Sequence, residues 1–206
     1  MAGRPRLVDD VTLLRATVTI MGRTGPSALT LALVATEAGV TPATVVQRFG
    51  NKRGLMLALA HSHAERASER HLHSRDQGSH PLQALTDLVV GTWDPATTPQ
   101  VFANHLAFLC ADLVDEDLRA LTLATQRSQE RTVRNLLDSA VAAGELAPGT
   151  DTAALTASIQ SAVAGSGLLW AMDRQGTLNA RLRSALDLAL SSHLTKPPTP
   201  NPKETP

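Results

Sequence analysis

The chain has 206 residues, its 19 basic and 19 acidic side chains cancel to zero net charge, and 43% of it is hydrophobic against 2% aromatic. That length can bury a sizeable core, which the scarcity of aromatics makes aliphatic, and the lone Cys110 excludes an internal disulfide, in keeping with a reducing cytoplasm. No apolar run is long enough to span a membrane and no signal-peptide pattern opens the chain, so a cytoplasmic protein with no membrane partner is expected.

Residues 1–8 read as a short basic arm, broken by Pro5 and carrying Arg4 and Arg6. A first helix is predicted over residues 9–23, with Leu14, Val18 and Met21 on one stripe and its end near Gly22 and Gly25. Thr30 stands where a second helix needs an N-cap. Leu31, Val34, Ala35 and Ala38 then recur at i, i+3, i+4 and i+7, which is one apolar helical face. Gly39 follows the last of them, where a left-handed residue closes a helix most cheaply. Thr41 and Pro42 restart a third helix, the threonine as cap and the proline at the first position, where its missing N–H costs nothing. Val45 and Phe49 bury this helix and leave Pro42, Ala43, Thr44, Gln47 and Arg48 outward. Small residues at the tip and hydrogen-bonding ones beyond it suit a helix-turn-helix entering the DNA major groove.

Asn51 caps a fourth helix predicted from residue 52 to about 75. Further helices are predicted over 81–91, 99–113, 116–143, 152–173 and 177–194, with Gly144 stopping the seventh and Asp151 or Thr152 capping the eighth. From Thr195 onward the composition is proline, threonine, lysine and glutamate, a tail with nothing to bury and so expected to be disordered. No strand is predicted. The reading is all-α, about nine helices: a helix-turn-helix domain over 1–53, a helical effector-binding and dimerisation domain over 54–194, and a tail over 195–206. Residues 1–53 hold seven basic side chains (Arg4, Arg6, Arg15, Arg23, Arg48, Lys52, Arg53) against three acidic ones (Asp9, Asp10, Glu37), a basic head on a mildly acidic body.

Several stretches share one order and spacing: Leu13-Leu14-Arg15-Ala16 with Gly25, Thr30-Leu31 with Val34-Ala35, Ala38-Gly39-Val40-Thr41, and Phe49-Gly50-Asn51-Lys52 with Leu55. Across residues 7–60 they resemble the TetR (tetracycline-repressor-like) family of bacterial transcription regulators. Ala143-Gly144-Glu145-Leu146 also resembles the turn that often ends the family's seventh helix. One position departs. The family usually has a tyrosine three residues before that phenylalanine, commonly on a DNA phosphate. Here Val46 stands in its place, and the chain contains no tyrosine. The resemblance implies a homodimer on a pseudo-palindromic double-stranded DNA operator, and a small-molecule effector held between the fourth and eighth helices.

On that reading Lys52, Thr41 and Thr30 are candidates for phosphate contacts. Thr44, Gln47 and Arg48 are candidates for base edges, and Pro42 and Ala43 for thymine methyls. Arg4 and Arg6 would reach a neighbouring minor groove. One such domain buries too little surface for tight binding, so a dimer is expected. Its candidate interface lies on the last two helices, at Ile159, Val163, Gly167, Trp170, Leu182 and Leu186. An ordinary intramolecular core is the other reading of that pattern.

Trp93, Phe102, Leu106, Leu109, Cys110 and Met172 are candidate apolar walls for an effector, with His105, Gln126 and Gln129 as polar groups. Few charges among them point to a mostly apolar ligand. His61 with Glu65, and Glu69 with His73, stand at metal-gripping i, i+4 spacing, with His63, His71 and His80 nearby, but the face is mixed and polar as solvated faces are. No metal or cofactor is expected. Asp115, Glu116 and Asp117 open a helix, where its dipole accounts for them. No Gly-rich phosphate loop or G-x-S-x-G points to an enzyme. The alternatives are a helical adaptor that keeps the helix-turn-helix without binding specific DNA, and an effector-independent activator.

Overall fold

In the computed structural model each turn of the N-terminal region starts on a side chain that takes a free backbone N–H. The model describes residues 9–73 and 80–195, with only the helical backbone for 69–73. Arg4, Arg6, the side chains of Glu69, His71 and His73, and the tail beyond Thr195 lie outside the described residues. Asp9 accepts from the Thr12 amide at 2.9 Å and opens α1 (Asp10–Ala28). Thr30 accepts from Leu33 at 3.2 Å and opens α2 (Leu31–Ala38); Thr41 accepts from Thr44 at 3.3 Å and opens α3 (Pro42–Phe49). Asn51 does the same for Gly54 at 2.9 Å at the start of α4 (Lys52–His73). Loss of any one such cap costs about 1 kcal/mol.

One segment of the head departs from the sequence reading, and the turn between α2 and α3 follows that reading. The first helix runs past residue 23 to Ala28 because a further turn follows the break at Gly25, where the backbone leaves helical angles ahead of Pro26. Between α2 and α3, Gly39 is left-handed (φ +69°), and Val40 donates to the Ala35 carbonyl at 2.9 Å, closing the turn.

The body holds α5 (Pro81–Val90), α6 (Pro99–Asp112), α7 (Glu116–Ala142), α8 (Thr152–Asp173) and α9 (Leu178–Leu190). His80 gives α5 no side-chain cap; the carboxylate of Glu145, after α7, accepts from the Leu82 amide at 2.9 Å instead. The ninth helix ends at Leu190 rather than 194. The chain then turns back along the end of α7: Ala147 donates to the His193 carbonyl at 2.8 Å, and Leu194 pairs with Leu146 in an isolated bridge. Thr195, expected in the tail, is held there by its own N–H on Glu145 and its hydroxyl on the Gly144 carbonyl at 2.8 Å. These bonds pair backbone carbonyls of the turn after α7 and of the segment after α9.

The first core joins Leu13, Ile20 and Met21 of α1, Val34 and Val45 of the helix-turn-helix, and Leu55, Met56 and Leu59 of α4. Phe108 of α6 and Leu118 of α7 belong to it as well, so the head is packed directly on the body. A second core gathers Leu85, Leu136, Leu137, Leu155, Ile159 and Leu186, and a third holds Trp170, Leu178 and Leu182. Each fully buried leucine there contributes about 1.5–3 kcal/mol. No described helix is long and apolar enough to cross a membrane.

Candidate nucleic-acid interface and ligand cleft

Val45 is fully buried under α3, and Phe49 is half-buried at its end. That anchoring turns Pro42, Ala43, Val46 and Gln47 to solvent, with Thr44 half-buried and its hydroxyl 3.0 Å from that of Thr41. The outward face expected from the sequence is therefore present on a fixed helix. Thr30 and Thr41 use their oxygens as acceptors in the caps, which leaves each O–H to donate.

Its basic groups are arranged differently from the sequence reading. Arg48 forms an ion pair with Asp10 on α1, which ties its guanidinium to the first helix. Lys52 donates to the Pro26 carbonyl at 2.5 Å, tying α4 to the turn that ends α1. Arg23 bridges to Glu37 at 2.8 Å. Arg53 holds both Asp115, at 2.8 Å, and Asp117, at 2.6 Å, at the start of α7. The hydrogen bond from Arg53 holds the Asp115 carboxyl below its usual range. The acidic run therefore does more than cap a helix dipole: it ties head to body. Among the described basic side chains of the head, Arg15 alone has no hydrogen bond or salt bridge. Of these basic groups of the head only Arg53 is paired with acids outside it, since Asp10 and Glu37 already stand in the count made from the sequence.

The body opens into two connected clefts. One, of about 580 Å³, lies between α5, α7 and α8; the other, of about 510 Å³, lies between α4, α6 and α7. Trp93, Gln126, Gln129, Val163, Ala164 and Leu182 line both. Phe102, His105, Leu106 and Leu109 line the second, as the sequence reading expected of them. Phe102 is the hinge of an aromatic group, its ring centroid 4.9 Å from Trp93 and 6.1 Å from Trp170. Its ring lies so close to α8 that a Cβ on Gly167 would stand 2.6 Å from Phe102 Cζ. His105 contacts Trp93 edge-on at 5.6 Å, and burial lowers its pKa, which favours the neutral imidazole.

The second cleft also reaches the head. Met21 of α1 and Met56 and Leu59 of α4 line it, and all three belong to the head's core. Next to it, Asn104 of α6 donates to the Gly22 carbonyl at 2.8 Å. Asp112, the last residue of α6, lines the same cleft half-buried, and burial together with the charge of Asp115 pushes its carboxyl up to about 6. None of these was read as part of a site from the sequence: Met21 stood on the stripe of the first helix, and Met56, Leu59 and Asp112 carry no local signal that sets them apart. Two expected wall residues are elsewhere: Cys110 is exposed and lines neither cleft, and Met172 is 64% exposed on the outer side of α8.

Residues 13–59 match the family model described as bacterial regulatory proteins, tetR family. The N-terminal head belongs to the tetR family. Solved structures share the fold over most of the chain. SmeT, the repressor of the Stenotrophomonas maltophilia multidrug efflux pump SmeDEF, is 19% identical over 95% of this chain and 98% of its own, with a TM-score of 0.63. It has also been solved with triclosan. A TetR transcription regulator from Haloarcula marismortui reaches a TM-score of 0.72 at 17% identity, covering 90% of this chain and 98% of its own. FadR from Bacillus subtilis, solved in complex with stearoyl-CoA, has a TM-score of 0.62 at 19% identity over 89% of this chain and 98% of its own. At such identities the likeness is one of fold. The chain matches no curated protein.

The residues first read as a dimer interface lie inside the protomer. Ile159, Trp170, Leu182 and Leu186 are almost completely buried in its own cores, and Val163 packs against them. Gly167 admits the Phe102 ring, not a second subunit. The repeating leucines of α9 face inward for the same reason. What α8 turns outward is different: Ser161, Gly165, Leu168, Leu169 and Met172, with Leu168 46% and Leu169 55% exposed. Leu188 of α9, 77% exposed, adds to the apolar outer surface. Among the described residues no group of His, Cys, Asp and Glu is placed to hold a metal; His80 stands 3.9 Å from Glu145 instead.

Proposed function

We propose that this tetR-family transcription regulator is a homodimeric repressor whose hold on an operator is released when a small, mostly apolar molecule enters the cleft. The observation that carries the reading is α3 itself, anchored by Val45 and presenting Pro42, Ala43 and Gln47 outward. A rigid helix with a small tip and an amide beyond it has the shape and donors to read bases in the major groove. The division of labour follows the cores: a reading head through Leu59, and a body from there to α9 that binds the effector and the second subunit.

Dimerisation is supported by α8, which is apolar on its outer side as well as its inner one. A helix apolar all round is normally covered on all sides. A second copy meeting Leu168, Leu169 and Met172 would cover this face and set two heads about one helical turn apart on DNA. Effector binding is supported by the clefts, and the triclosan complex of SmeT and the long acyl chain of the stearoyl-CoA bound to FadR make an apolar ligand body reasonable for this chain too. Because Met21 and Met56 line the second cleft and also pack the head, an occupant there touches the part that must move.

The test is electrophoretic mobility on DNA from upstream of the chain's own gene, with and without triclosan as an apolar probe. A retarded complex of dimer size that dissolves on adding the probe supports the reading. A complex indifferent to it favours the effector-independent regulator. No complex at low ionic strength favours the helical adaptor.

A further inference from the structure

We propose that the molecule this cleft is built to accept is an amphipathic cation, its apolar body against Met21, Met56 and Phe108 and its positively charged nitrogen at the carboxylate of Asp112. The inference rests on the reading of the cleft as the effector site and adds the ligand's charge to it.

The walls carry the first part. Each cleft has one carboxylate in its lining, Asp87 in the first and Asp112 in the second, and neither has a lysine or arginine. The other titratable groups of the second cleft are His63 and His105, and burial favours the neutral form of His105, so a ligand carboxylate or phosphate would bury its charge with no permanent cation to meet it, which is costly.

Asp112 differs from the acidic residues around it. Asp115 and Asp117 are taken by Arg53, and Asp87 accepts from the Gln83 side chain at 2.8 Å. The Asp112 carboxylate has no hydrogen bond or salt bridge among the described residues. It is also the last residue of α6, where the helix dipole adds negative potential. Half-buried, unpartnered and at the negative end of a helix, its charge is poorly compensated by the protein alone. Burial raises its pKa accordingly. A cationic group entering the cleft supplies the missing partner, and a neutral ligand leaves it missing. Trp93 and Phe102 line the same cleft and offer ring faces to which a quaternary nitrogen is also attracted.

Calorimetric titration of the full chain with octyltrimethylammonium, octanol and octanoate, which share one chain and differ in head charge, tests this. The ammonium should bind about tenfold more tightly than octanol, and octanoate more weakly than both. In Asp112→Asn, whose fold is checked by its thermal transition, the ammonium should lose that advantage. Octanoate binding as well as the ammonium, an ammonium preference that survives Asp112→Asn, or no binding by any of the three overturns the proposal. Operator binding measured on the same samples separates the two readings. If octanol releases DNA as effectively as the ammonium does, the charge inference falls and the repressor stands. If the folded chain never holds DNA, the repressor falls whatever the order of ligand affinities.

Discussion

Asp112→Asn should make the ligand-free protein more stable at neutral pH, since it removes an anion from the negative end of a helix. The Asp112 carboxyl has its pKa raised from 3.8 to about 6 by burial and then by Asp115. A raised pKa means that the folded chain holds the proton more tightly than the unfolded chain does. The stabilisation from the protonated acid is therefore fully present below pH 3.8 and lost as pH rises through about 6. A rise from 3.8 to about 6, at about 1.4 kcal/mol per pH unit, gives about 3 kcal/mol before screening. Solvent reaches about half of this side chain, and screening reduces the figure to about 1 kcal/mol. For a chain of this size that corresponds to a melting temperature higher by roughly 2–4 °C. Asp115, whose depressed pKa makes its contribution run the opposite way, is present in both proteins and cancels in the comparison. Thermal unfolding of wild type and Asp112→Asn, followed by circular dichroism across acid and neutral pH, reads the difference. The gap should be open above about pH 6 and close towards pH 4. A gap that does not vary with pH, or a variant less stable than wild type at neutral pH, refutes the reasoning.

Three other expectations concern separate parts of the molecule. Asp10→Ala frees Arg48 from its intramolecular partner; fluorescence anisotropy on duplex DNA should show affinity up to about fivefold higher at low salt and a salt slope steeper by about one. An unchanged slope means that Arg48 does not reach a phosphate even when released. Gly167→Ala places a Cβ against the Phe102 ring and should destabilise the chain by about 1–3 kcal/mol while shifting the emission of Trp93 and Trp170, the two rings that flank Phe102. Coincident melting curves would show that the ring moves aside at no cost. Leu169→Glu combined with Met172→Glu should convert the dimer to monomer in sedimentation velocity without lowering helical content, and persistence of the dimer would move the interface away from the outer face of α8.

Local codes in the chain were legible and distant pairings were not. Thr30, Thr41, Asn51 and Asp151 each bind an amide two or three residues away, so cap and helix start can be read from a few neighbouring letters. The same holds for Gly39 and for the buried positions Val34, Ala35 and Val45. The end of α9 could not be read that way, because residues 191–195 leave the helix to bond the turn after α7, some fifty positions earlier. Periodicity also shows that a residue is buried without showing against what. Leu182 and Leu186 recur every four residues whether the cover is a second subunit or, as found, the chain's own α8 and α5. The ion pairs of Arg48 with Asp10 and of Arg53 with Asp115 span 38 and 62 positions, so a count of charges does not reveal which basic groups the fold pairs. The cleft was half legible: Trp93, Phe102, His105 and the two glutamines stood out as polar or aromatic oddities, whereas Met21 and Met56 look like any core residue until α6 and α7 are folded over them.

The most direct measurement is the affinity of wild type and Gln47→Ala for a duplex selected from a randomised pool, and for its scrambled version, across a range of salt. Wild type should prefer the selected duplex, and Gln47→Ala should lose about 1–3 kcal/mol on it alone while keeping the same salt slope. Equal losses on both duplexes would take Gln47 out of base reading. A folded, dimeric protein that enriches no duplex at low ionic strength would contradict the account of α3 as a DNA-reading helix.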